Sequence, residues 1–161
     1  IRHFGGKTSG YADDKFNCCH GILVDTRDAA NPTLLITDRV NNSLKRFTLD
    51  GKFITRYHYP GSYICRPVLH GDHILAACFR SSSESLVGSG YIQILDKNMQ
   101  VVSTPGGSAP QYENGLLQAQ FKEDENQVFI HPHDVYADSD ENIYVPQWAS
   151  NKTYPIKLTR M

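Results

Sequence analysis

Apolar and β-branched residues run in short bursts along this chain, broken at close intervals by Gly, Asn, Asp and Pro, and no stretch carries the spacing of an amphipathic helix. Ile22-Leu23-Val24 is followed by a polar break at residues 28–31 and then by Leu34-Leu35-Ile36-Thr37. Asn41-Asn42 punctuates before residues 44–49, where Leu44, Arg46 and Thr48 alternate with Lys45, Phe47 and Leu49. Asp50-Gly51 is a strong hairpin signal, and residues 53–59 return from it. The spacing predicts four strands in meander order over about forty residues, the size of one propeller blade.

The pattern repeats. Residues 67–69, 74–79, 91–95 and 100–103 form a second set with Asp96-Lys97-Asn98 as its last turn. A third set takes residues 134–137, a turn at 139–142, then 143–145 and 154–158. The expectation is an all-β chain. Residues 1–161 form a single β-propeller domain with four-stranded blades at about 18–59, 64–104 and 129–161, and Ile1–Phe4 serves as a closing strand. About three blades cannot close a flat ring, and an open arc leaves sheet edges and an apolar face uncovered. Two arrangements answer this: a two-fold homodimer that makes a six-bladed ring, or earlier blades on a longer native chain. Residues 81–85, with four serines around Glu84, read as a flexible loop. The Gly-rich residues 105–120 read as an insertion able to form a lid over the channel mouth, and Trp148 and Tyr154 are expected to pack between blades.

The repeat text carries a resemblance. His20-Gly21-Ile22-Leu23-Val24-Asp25, Leu35-Ile36-Thr37-Asp38-Arg39 and Phe47-Thr48-Leu49-Asp50-Gly51-Lys52-Phe53 resemble an NHL repeat. His133-Asp134-Val135 through Asn142-Ile143-Tyr144-Val145 is similar. The order of these motifs resembles the C-terminal half of the peptidylglycine α-hydroxyamidating lyase family. That resemblance implies a six-bladed propeller with an axial zinc held by histidines that open the inner strands of alternate blades. Pro132-His133-Asp134 matches the family's Pro-His-Asp motif, and Arg39 matches an Arg used near the substrate. His131 stands where the family has Met, and Cys19 where it has Pro before the first histidine.

Composition narrows the classes. With 16 Lys+Arg against 17 Asp+Glu the net charge is -1, which gives no electrostatic case for a nucleic-acid partner or an anionic membrane. No apolar run is long enough to span a bilayer, and the compartment stays open; it is extracytoplasmic if the native chain carries an N-terminal signal. Asn41-Asn42-Ser43 and Asn151-Lys152-Thr153 match the glycosylation acceptor pattern without deciding that question. The four cysteines are too few for a disulfide scaffold and are expected as buried free thiols.

The chemistry concentrates on two histidines. His20 and His133 open innermost strands at equivalent repeat positions, so their imidazoles can converge on one axial site. Imidazole suits zinc and other divalent metals, and a catalytic zinc needs about three protein ligands with one position open. Asp134 is a candidate to orient an imidazole or act as general base, and Arg39 to clamp a carboxylate. His131, a loop histidine beside Pro, is expected to be exposed, and His58, His70 and His73 share no spacing. Two functions follow. One is a metal-dependent lyase or hydrolase. The other is a non-catalytic scaffold binding a peptide, saccharide or other small molecule on the channel rim.

Overall fold

The computed structural model describes residues 3–82, 89–121 and 128–159. Ile1 and Arg2 of the expected closing strand lie outside that set, as do Ser83, Glu84 and Ser85 of the serine-rich loop. The described chain is all-β, with one 3-10 turn at Arg39–Asn41.

The first sheet runs β1 (Cys19–Asp25), β2 (Thr33–Asp38), β3 (Ser43–Thr48) and β4 (Phe53–His58), antiparallel and in sequence order. The second repeats that order with β5 (Ile64–His70), β6 (His73–Cys78), β7 (Tyr91–Leu95) and β8 (Val101–Ser103). After a short hairpin, β9 (Tyr112–Glu113) with β10 (Leu116–Leu117), the third sheet is β11 (Tyr136–Ala137), β12 (Ile143–Val145) and β13 (Ile156–Leu158).

The turns form for local reasons. Gly51 takes φ +88° between β3 and β4, and its amide donates to the Thr48 carbonyl. Asp96 Oδ1 accepts the amides of Asn98 and Gln100 to fold the β7–β8 turn. Asp138 does the same for Asp140 and Asn142 between β11 and β12.

The sheets stack face to face. Leu35 and Leu44 of the first pack with Ile74, Ala76 and Tyr91 of the second. The opposite face of the second, with Leu75, Ala77 and Ile92, meets Val135, Ala137 and Val145 of the third. Adjacent residues of β6 and β7 therefore serve different cores, which is why β6 is apolar after His73 and β7 is apolar but for the buried Gln93. Across the first interface Arg27 reaches the carbonyls of Asp72 and Asp96, and its guanidinium shares Asp25 with Arg46.

The other face of the first sheet carries a strap made by the residues before β1. Phe4 and Phe16 lie on Phe47, with ring centroids 5.2 and 5.8 Å away. Lys45 is fully buried there; its Nζ pairs with Asp38 at 3.1 Å and donates to the strap carbonyls of Ala12 and Lys15. His3 and Phe4 form no strand. The 105–120 insertion departs from the expected lid. Tyr112 Oη is hydrogen-bonded to both backbone groups of Val101, and the Gln120 amide donates to Pro60 O, so the hairpin braces the outer strand β8. Tyr154 also departs from expectation, being almost wholly exposed.

Candidate metal centre

The site forms where β1 and β5 begin and where the chain runs toward β11. β1 and β5 run in close contact without pairing, and each is bulged near its start: β1 between Cys19 and Ile22, β5 between Ile64 and Arg66. A bulge re-aims side chains at a strand end. Here Thr37 Oγ1 accepts the amides of both His20 and Gly21. His133 is placed by a short ladder in which its amide donates to Pro146 O and the Trp148 amide donates to His131 O.

His20, Cys65 and His133 thereby bring one donor atom each to within 4.8 Å of one another, a group that could hold a metal ion. The imidazole rings of His20 and His133 meet edge to face with centroids 4.9 Å apart. His20 Nδ1 lies 3.1 Å from the Cys65 carbonyl, which can only accept, so Nδ1 donates there and Nε2 is the nitrogen that the neutral ring has to offer a metal. Burial lowers the pKa of His133, helped by the charges of His20 and Arg39 and opposed by Asp134, so a neutral, ligating ring is favoured.

Cys65 is completely buried, and burial raises its pKa; the Arg39 guanidinium opposes that rise, with Nη1 donating to Sγ at 3.6 Å. Arg39 also lies over the Phe79 ring, 5.5 Å from its centroid. Behind the donors stands an aromatic wall. Phe79 stacks on His131 at 4.8 Å and meets Trp148 at 5.6 Å, while Trp148 lies 6.5 Å from His133.

The structure thus brings His20, His133 and Arg39 together. Asp134 sits beside them with both oxygens engaged: Oδ2 accepts from Arg66 at 2.8 Å and Oδ1 from the Val135 amide. His131, expected to be exposed, is buried, because Phe79 and Trp148 cover its ring. Trp148 is half exposed beside the site rather than packed between sheets. All four cysteines are free thiols, Cys65 and Cys78 buried and Cys18 and Cys19 exposed.

Cys65 is the member of this group that the sequence reading did not single out. It is the second residue of β5 as His20 is the second of β1, a register signal lost when the first strand of the second blade is started at Pro67 instead of Ile64. No protein-family model and no curated protein matches the chain.

Proposed function

We propose that this chain is an NHL-type propeller segment whose inner strand ends hold a divalent metal, zinc first, for lyase or hydrolase chemistry. The observation that carries the reading is the convergence of His20 of β1, Cys65 of β5 and His133, which lies just ahead of β11, within 4.8 Å. The meander order of the sheets and their alternate-face packing support reading them as blades.

Two imidazoles and one thiolate suit zinc better than magnesium or calcium, which prefer oxygen, and three ligands leave a position open. A metal bound there would polarise a carbonyl or lower the pKa of a bound water. The chain's own residues do the rest. The Cys65 carbonyl fixes the His20 tautomer, and Arg39 stands where it can offer its remaining N–H groups to an anionic ligand.

Native mass spectrometry of the purified protein tests this, with metal content measured alongside. Bound metal that disappears in the double variant His20→Ala/His133→Ala supports the reading; metal retained in that variant removes it. The same spectrum gives the number of copies: a dimer supports the two-fold six-bladed ring, and a monodisperse monomer removes it. A second reading, a rim that binds a peptide or saccharide without catalysis, draws on the exposed Tyr136, Trp148 and Tyr154. A metal-free protein that binds such ligands, and loses them on Trp148→Ala, favours it.

A further inference from the structure

Two cavities stand out among the described residues. The larger, about 610 Å³, lies between the second and third sheets against Leu75, Ile94, Ile143 and Leu158. It contains no member of the donor group, so nothing bound there shares a ligand with it. The other, about 520 Å³, opens on the free face of the first sheet and includes His20 in its wall. Ile22 and Ile36 form its sheet side, and Phe4, Phe16 and residues 5–9, with the polar Lys7, Thr8 and Ser9 among them, form its strap side. Its size falls in the range of small-molecule sites, roughly 300–1,000 Å³.

The groove is preformed. The strap that makes its outer wall is held by Lys45 through the carbonyls of Ala12 and Lys15, and by Asn41, whose Nδ2 donates to Gly10 O at 3.0 Å. Within the strap Gly5 packs closely on the Phe16 ring, where a Cβ would stand 2.7 Å from it. A slot with an apolar floor and a fixed wall admits a slender chain, whereas the flat face of another sheet meets the strap first. Ile22 is 56% exposed, so the floor is open to a ligand.

We propose that this groove is a ligand subsite that takes the linear apolar tail of a small molecule whose oxygen-donor head binds at His20, Cys65 and His133. The proposal rests on the metal reading above. His20 joins the two halves: one ring in the donor group and in the groove wall sets head and tail side by side.

Alkyl hydroxamates of increasing length, from acetohydroxamate to octanohydroxamate, titrated into the Co²⁺-loaded full chain, separate head from tail. Affinity is expected to rise about fourfold per methylene while the tail is being buried, so that octanohydroxamate binds about a hundredfold or more tighter than acetohydroxamate. Ile22→Asp, a change at the exposed groove floor, is expected to flatten that slope, read as the ratio of octanohydroxamate to acetohydroxamate affinity within the same variant. Acetohydroxamate binding with no length dependence, or the same slope in Ile22→Asp, overturns the subsite and leaves the metal reading standing. A variant that changes the number of copies instead of the slope assigns the groove to a second copy and also overturns it. Failure of the chain to bind Co²⁺ overturns both proposals together.

Discussion

Gly21 lies so close to Cys65 that a Cβ built on it would stand 2.3 Å from the Cys65 carbonyl oxygen and 2.8 Å from Arg66 Cα. Its φ is not in the left-handed region, so space alone demands glycine here. This approach sets the distance between β1 and β5, and hence between the His20 ring and the Cys65 sulfur.

Gly21→Ala is therefore expected to push the two strands apart. Overpacking of this kind costs about 1–3 kcal/mol. Because His20 is the next residue and Cys65 the one displaced, metal affinity should fall about tenfold or more. Thermal unfolding and chelator competition measure the two effects. A variant with parental metal affinity would mean that the strand spacing does not set the site.

Asp25 gives a pH signature remote from the site. It is buried, which pushes its pKa up, but hydrogen bonds and charge from Arg27 and a hydrogen bond from Arg46 more than offset this and hold it at about 2. A carboxyl depressed in the folded state contributes stability above its unfolded value, near 4, and loses it as the pH falls toward 2. The contribution at neutral pH is about 2 kcal/mol. Asp25→Asn should lower the urea midpoint at pH 7, and the gap to the parent should close on acidification to pH 2. A gap that persists at pH 2 would assign the effect to packing instead.

The strands and turns were legible because their causes are local: Asp50-Gly51, Asp96 and Asp138 each close a hairpin with neighbours a few residues away. The meeting of His20 and His133 was legible from repeat register. Cys65 was hidden by a strand start placed at Pro67. The burial of His131 and Trp148's place beside the site depend on Phe79, which comes from another sheet, and no local pattern carries that. The strap was invisible for a different reason. Its fixed points are backbone carbonyls, which every sequence has, received by a lysine that strand alternation alone does not mark as buried.

Lys45 makes that strap testable. The ammonium is fully buried and shares its charge with Asp38, whose other partners are the Asn17 amide and Asn41 Nδ2. Removing one partner of a buried pair leaves the other uncompensated, at about 3–5 kcal/mol. Lys45→Met should lower stability by that order and free residues 10–16, so that trypsin cuts after Lys15 much faster than in the parent. Unchanged cleavage at Lys15 together with lost stability would show that Phe4 and Phe16 hold the strap without the lysine.

The single tryptophan gives the candidate site a reporter of its own. Trp148 is half exposed, and its ring centroid is 6.5 Å from that of His133 and 5.6 Å from that of Phe79. A Co²⁺ or Cu²⁺ ion held by His133 sits close enough to the indole to drain its excited state. Zn²⁺, with a filled d shell, has no such pathway. Titration with Co²⁺ should quench the emission to a saturating endpoint, and excess Zn²⁺ should restore it by competition for the same donors. His133→Ala removes the candidate donor whose ring centroid lies 6.5 Å from that of the indole, and Cys65→Ser removes the sulfur, so both should weaken the quenching by about tenfold or more in metal concentration, since losing even a partner behind a ligand costs about that much. His70→Ala, at the last residue of β5 and outside the group, should not. Quenching that survives in His133→Ala and Cys65→Ser but is lost in His70→Ala would move the metal to the β5–β6 turn, and the convergence at the inner strand ends would then have to be explained by packing alone.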